Sequence, residues 1–284
     1  MKLIKDASEM TALAQTARAK GRVVAFVPTM GYLHSGHIKL VEAGRQEAGK
    51  DGLVALSIFV NPTQFGPKED FTTYPRDIER DMKMAAGAGV DVIFIPRPDD
   101  MYTEGFKTFV NVEALSDRLC GAERPGHFRG VATVVVKLFN IVCPQIAVFG
   151  KKDFQQFVII KRLVQDLNFP VKIIGVDTVR DPDGLALSSR NTRLSPEERQ
   201  IALALPRALN IAKEAFLRGE KSAPAIAGSV KNILEKHRLL SVDYVNVVSV
   251  DALEAIDFVE RDAVVLAAVR VGSTRLIDNV VLSC

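Results

Sequence analysis

Apolar residues gather along this chain in short, β-branched runs separated by longer amphipathic stretches. "RVVAFVPT" (22–29) has the texture of a strand buried on both faces, and four later runs share it: "GLVALSIFV" (52–60), "VDVIFIP" (90–96), "QIAVFG" (145–150) and "VKIIGVDTV" (171–179). Helical patterns lie between most of them: one through Leu40, Val41 and Gly44 to Ala48, one over Ile78 to Ala88, and one over 152–168. Strands alternating with helices predict an α/β fold, a Rossmann-like parallel sheet with helices on both faces.

Past the turn signal "DPDG" (181–184) the texture changes. Ser195 as N-cap, Pro196 at the first helical position and acids in the first turn predict the start of a long helix, with a second helix ending at His237. The runs at 241–250, 263–271 and 274–282 predict strands, the last two joined as a hairpin through Gly272 and Ser273. The expected division is a Rossmann-like domain over 1–180 and a smaller α+β domain over 181–284.

Composition changes this picture little. With 284 residues, 48% of them hydrophobic, the chain can bury two cores. The net charge of +3 is scattered, which predicts no nucleic-acid partner. Cys120, Cys143 and Cys284 form no C-x-x-C pair, and the acids Asp6 and Glu9 interrupt the amino terminus before an apolar run develops. A cytoplasmic protein without disulfides or a membrane span is expected. The connection over 61–81 is polar, rich in Pro and Gly, and long for a strand-to-helix link; it reads equally as a functional lid or a surface insertion.

Three polar clusters carry candidate chemistry. "PTMGYLHSGH" (28–37) follows the first strand, where free N–H groups at a helix start attract anions, and His34 and His37 share one side of that helix. "GKKDFQQF" (150–157) follows another strand, with Lys152 able to neutralise phosphate and Gln156 able to hydrogen-bond a polar substrate. "LSSRN" (187–191) offers two hydroxyls and a guanidinium near the domain junction. Together they predict a nucleotide site using residues of both domains. Neither the P-loop pattern nor G-x-G-x-x-G after the first strand occurs. A zinc site would need further ligands, and only His127 and His237 remain among the histidines, so no protein-held metal is expected.

"PTMGYLHSGH", "FVNPTQFGP", "YPRD", "GAERPGHFRGV", "KLFNIV", "FGKKDFQQ" and "DGLALSSRN", in this order, resemble the pantoate–β-alanine ligase family. That family belongs to a nucleotidyltransferase superfamily, so His34-Ser35-Gly36-His37 resembles the HIGH motif of class I aminoacyl-tRNA synthetases and Ser188-Ser189-Arg190 the position of KMSKS. The resemblance implies ATP-dependent formation of pantoyl adenylate from pantoate, then attack by β-alanine to give pantothenate and AMP, with Mg²⁺ on the phosphates. It implies catalytic roles for His37, His34 and Lys152. The implied ATP contacts are Met30, Gly31, Tyr32, Leu33, His34, Ser35, Gly36, His37, Gly150, Lys151, Lys152, Asp153, Val179, Leu187, Ser188, Ser189 and Arg190. Gln64 and Gln156 would hold pantoate, Gln64 would also serve β-alanine, and Asn61, Tyr74, Arg124 and His127 would line or close the site.

Lys151 stands where the family usually has glutamate, adding a positive charge near ATP, and Tyr32 and Ser35 vary the usual Ala and Glu. The family suggests a homodimer, for which "GLVALSIFV" could supply an interface, although a buried central strand explains that run equally. Two other functions compete. A related nucleotidyltransferase that stops at an adenylylated product would not need the paired glutamines, and a binding module that kept only the fold would have lost one of His34, His37, Lys152 and Arg190.

Overall fold

A computed structural model describes residues 1–67 and 69–284. Its elements run β1 (Lys2–Ile4), α1 (Ala7–Ala19), β2 (Val24–Thr29), α2 (Ser35–Ala48), β3 (Leu53–Ile58), α3 (Ile78–Gly87), β4 (Val92–Phe94), α4 (Pro98–Met101), α5 (Cys120–Glu123), α6 (His127–Val142), β5 (Ile146–Gly150), α7 (Phe154–Asp166) and β6 (Lys172–Val176). Then follow α8 (Pro196–Ala202), α9 (Ala204–Leu217), α10 (Ala223–Leu234), β7 (Leu240–Ser249), β8 (Ala263–Val271) and β9 (Thr274–Leu282). Two compact units result: one comprises Met1–Lys151 with Ile159–Asp177, the other Lys152–Val158 with Thr178–Cys284.

The first unit is built on a six-stranded sheet in the order β1-β4-β3-β2-β5-β6, every pair parallel. The all-apolar runs are its central strands: all six residues of β3 are buried, and Val24 to Val27 of β2 are fully enclosed. A buried central strand therefore accounts for "GLVALSIFV". Phe26 and Phe94, both fully buried, each contribute about 1.5–3 kcal/mol by leaving water. Strand order reverses between β2 and β5, so the segments leaving their carboxyl ends flank the switch point where ligands of such sheets bind.

The second unit packs α8, α9 and α10 on an antiparallel sheet ordered β7-β8-β9. Ser195 is the N-cap, as the sequence predicts, and with Glu198 it forms a reciprocal capping box, Ser195 N to Glu198 Oε2 at 2.8 Å and Glu198 N to Ser195 Oγ at 3.1 Å. The expected long helix is instead broken at Leu203 into α8 and α9. In a continuous helix the ring of Pro206 would press on the carbonyl of Ala202, four residues earlier. Elements absent from the sequence reading are β1, α1, α4, α5 and α6. Helix α6 buries Phe128, Gly130 to Val135, Leu138, Phe139 and Val142, while Arg129, Thr133, Lys137 and Asn140 recur at helical spacing along one side, a period the sequence reading passed over.

Among the described residues, no helix is long and apolar enough to cross a membrane.

Candidate active site

In the first unit the site grows from the end of β2. Thr29 Oγ1 donates to the Ser57 carbonyl of β3 at 2.7 Å and accepts the Gly31 N–H at 3.1 Å, which starts the chain on a tight turn. Gly31 has φ +82°, and a Cβ there would lie 2.8 Å from Ile58 Cγ2 and 3.0 Å from Asp81 Oδ2, so no other residue fits. Tyr32 follows with φ +51°, an uncommon conformation for a residue with a side chain.

The strained turn is held by Asp81 of α3, 1% exposed. Its Oδ2 accepts the Tyr32 N–H and its Oδ1 the Leu33 N–H, each at 2.7 Å. Burial pushes this carboxyl above the ordinary aspartate range, against the opposing pull of the two N–H groups. Arg80 stacks its guanidinium 4.9 Å from the centre of the Tyr32 ring.

His34 then takes the N-cap position of α2, and Ser35, Gly36 and His37 form its first turn. The His34 and His37 rings lie 4.0 Å apart, and the His34 N–H donates to His37 Nδ1 at 3.3 Å. With Nδ1 accepting, the proton of a neutral His37 ring sits on Nε2.

Beside this turn lies the start of the 61–81 connection. It is not one open loop: Pro62–Gln64 is a 3₁₀ turn, α3 begins at Ile78, and Asn61 and Gln64 are buried at 1% and 8% exposure. Lys68, within it, lies outside the described residues. Gln64 Nε2 reaches Met30 Sδ at 3.2 Å, and Asn61 Nδ2 donates to Gln64 Oε1 and to the Gly130 carbonyl, both at 3.1 Å. Gly130 permits this closeness, because a Cβ there would fall 2.4 Å from the Thr63 carbonyl oxygen. Tyr74 is buried, its ring edge-on to Phe65. Asn61, Gln64, Met30, Arg124 and His127 are thus joined in one network of this unit.

Arg124 and His127 anchor that network. The Gln64 carbonyl, which can only accept, faces His127 Nδ1 at 2.8 Å, while Arg124 Nη1, which can only donate, faces His127 Nε2 at 3.0 Å. These partners specify a neutral ring protonated at Nδ1. Arg124 also forks onto Glu69, Nε to Oε1 at 2.7 Å and Nη2 to Oε2 at 2.5 Å. Burial would raise the Glu69 carboxyl, but Arg124's hydrogen bonds and charge hold it below its ordinary range.

Gly150 ends β5, and Lys151 begins a 3₁₀ turn that runs to Asp153. The positive charge expected from Lys151 is met by Asp177, Nζ to Oδ1 at 2.8 Å.

In the second unit, Lys152 and Asp153 complete the same turn, Gln155 is buried and Gln156 half-buried at the start of α7. Val179 and Leu187 are linked by the Leu187 N–H to Val179 carbonyl bond at 2.9 Å. Ser188 caps the 3₁₀ turn Ser189–Arg193 by accepting the Arg190 N–H at 3.2 Å, and Ser189 is buried. Among the described residues, no three His, Cys, Asp or Glu side chains converge as a metal cluster. Asp81, Glu69 and Gly130 were not singled out by the sequence reading; each acts through a partner distant in the chain.

A parallel sheet with a histidine-bearing helix start at its switch point defines the class as a Rossmann-like α/β protein. The chain belongs to the pantoate–β-alanine ligase family, whose model (Pantoate-beta-alanine ligase) matches residues 2–281. A pantothenate synthetase of Geotalea daltonii is 54% identical over 282 residues, 99% of each chain. The solved pantothenate synthetase of Thermus thermophilus superposes with a TM-score of 0.93 at 44% identity over 100% of both chains. A Francisella tularensis pantoate–β-alanine ligase, solved with beta-gamma ATP and β-alanine, gives a TM-score of 0.79 at 32% identity, covering 99% of this chain and 97% of that one.

Proposed function

We propose that this chain condenses pantoate with β-alanine in two ATP-driven steps. First, a carboxylate oxygen of pantoate attacks the α-phosphorus of ATP, the bond from that phosphorus to the bridging oxygen breaks, and pantoyl adenylate and pyrophosphate form. Second, the β-alanine amine attacks the acyl carbon, the bond to the adenylate oxygen breaks, the amine loses a proton, and pantothenate and AMP result. The observation that carries this reading is the family match across residues 2–281, with relatives about half identical over their whole length.

Pantoate brings its own nucleophile, so the protein's task is alignment and stabilisation of charge on the departing pyrophosphate. We assign phosphate donation to His34, to His37 through its Nε2 proton, to Lys152 and to Arg190. Met30 to Leu33, Ser35, Gly36, Gly150, Lys151, Asp153, Val179, Leu187, Ser188 and Ser189 complete the ATP contacts. Gln64 and Gln156 hold pantoate, and Gln64 also serves β-alanine, with Asn61, Tyr74, Arg124 and His127 as the wall around it. Mg²⁺ fits this donor set as an ion held mainly by ATP oxygens and water, shielding their charge. A homodimer acting in the cytoplasm on these small molecules, without nucleic acid or membrane, completes the proposal.

The test is direct. Incubated with ATP, Mg²⁺ and pantoate, the protein should release pyrophosphate without β-alanine, and form AMP and pantothenate once β-alanine is added. Pyrophosphate release that ignores pantoate would overturn the assignment. Lys152→Ala should slow adenylation roughly 10²- to 10³-fold with little change in Tm.

A further inference from the structure

Asp278 and Asn279 are neighbours on β9, and both are buried, 2% and 7% exposed. Charged and amide side chains are seldom taken out of water without partners, so each requires an account. The sheet does not require them: their cross-strand neighbours on β8 are Ala267 and Leu266. Successive side chains leave a strand on opposite faces, so the two can serve different segments.

Asp278 holds the turn that leads to Leu187–Arg190. Its carboxylate takes both arms of Arg180, Nη1 at 2.6 Å and Nη2 at 2.9 Å, and Arg180 Nη1 also donates to the Gly184 carbonyl at 3.1 Å. Arg180 is bridged to Ala186, directly before Leu187. Asn279 holds the other segment, its Nδ2 donating to the main-chain carbonyl of Lys152 at 2.9 Å. The Asn279 N–H donates to Asp278 Oδ1 at 2.8 Å, which couples the two attachments.

We propose that Asp278 and Asn279 are positioning residues for adenylation, fixing the Lys152 turn and the Leu187–Arg190 segment from one strand. This rests on the role given above to Lys152. Neither residue needs to touch a substrate. Asn279 sets where the Lys152 backbone lies and hence where its ammonium can reach; displacement of a charge-stabilising group by about 1 Å can slow a reaction 10²-fold.

Asn279→Asp keeps the shape but replaces the donor facing the Lys152 carbonyl with an acceptor. We expect kcat/KM for ATP in pantoate-dependent pyrophosphate release to fall about 10- to 100-fold. Transfer of chemically prepared pantoyl adenylate to β-alanine should stay within about twofold of wild type, because that step no longer develops charge on pyrophosphate. In a Lys152→Ala background the added loss should shrink to about threefold or less, since residues acting as a unit are not additive. A full additive loss, equal loss in both steps, or a wild-type rate would each overturn the proposal. Hydrogen exchange supplies a readout independent of activity: amides at 152–154 should exchange at least about tenfold faster in the variant while those of β8 do not. Unchanged exchange overturns the tie itself, whereas wild-type protein that releases no pantoate-dependent pyrophosphate overturns the ligase reading and leaves the exchange result to decide this one. Asn279→Ser, read by the same measurements, replaces Asn279→Asp if the latter does not fold.

Discussion

Asp81 does for the first unit's turn what a bound anion would do at other helix starts: it occupies the N–H groups of Tyr32 and Leu33 and so fixes the approach to His34. Removing it in Asp81→Ala leaves two buried donors unpaired, at about 1–3 kcal/mol each. Thermal denaturation should register that loss, and kcat/KM for ATP should fall roughly 10²-fold because the turn is no longer held. Stability falling while ATP kinetics stay normal would show that the turn keeps its shape without the carboxylate. Glu69 presents the opposite titration. Its carboxyl is held below the ordinary range, so its ion pair stabilises the native state above the unfolded pKa, and that contribution disappears as pH falls through the lowered folded pKa. Glu69→Gln should therefore lower stability by about 1–2 kcal/mol at neutral pH, and urea titrations of the two proteins should converge as pH drops below about 4. The places of His34, His37 and Lys152 in the turns after β2 and β5 were legible because each stands in a short polar motif after an apolar run. Asp81 was not, because its partners are backbone N–H groups 48 and 49 residues away, and nothing in "RDIERD" sets it apart from Asp77.

At the scale of elements, α6 and the 3₁₀ turn Pro62–Gln64 behave as one piece. Gly130 lets the helix backbone meet the Thr63 carbonyl, and the same contact delivers the Gly130 carbonyl to Asn61. Gly130→Ala must push them apart, costing about 1–3 kcal/mol as overpacked cores do. It should also raise KM for pantoate, because Gln64 rides on the displaced turn; a lowered Tm with unaltered KM would separate the packing from the binding. Which elements the sequence revealed follows from burial. Strands enclosed on both faces, such as β2, β3 and β5, appear as apolar runs bounded by polar residues. Helix α6 keeps a helical period, with Arg129, Thr133, Lys137 and Asn140 along one side, but the β-branched run Val134 to Val136 in its middle blurs the helix signal. Strand β1 buries only Ile4 of its three residues and so leaves no apolar run, unlike β4, equally short but wholly buried. At α8 and α9 the Ser195 N-cap was plain, and the break was also written in Pro206; the periodic apolar residues on either side of Leu203 concealed it.

For the molecule as a whole, the instructive fact is that the second unit borrows residues Lys152–Val158 from the middle of the chain. Its core of Leu205, Leu209, Ala212, Phe216 and Val230 is separate from the core around Val27, Val41 and Leu56 in the first unit. Units with their own cores can open at different free energies. The segment bearing Lys152 should then share the fate of the second unit, to which Asn279 ties it, and not that of β5, to which it is joined covalently. Leu209→Ala, at a site 1% exposed, should lower the stability of the second unit by about 2–5 kcal/mol. Native-state hydrogen exchange, resolved by peptide, should show protection at 152–158 falling together with β8 and α9, while β2 and β3 keep theirs. Adenylation should fail over the same range of urea in which those second-unit amides open, before the first unit unfolds. Protection at 152–158 that followed β2 instead would mean that the attachment to β9 is too weak to govern the turn, and Lys152 would belong energetically to the parallel sheet.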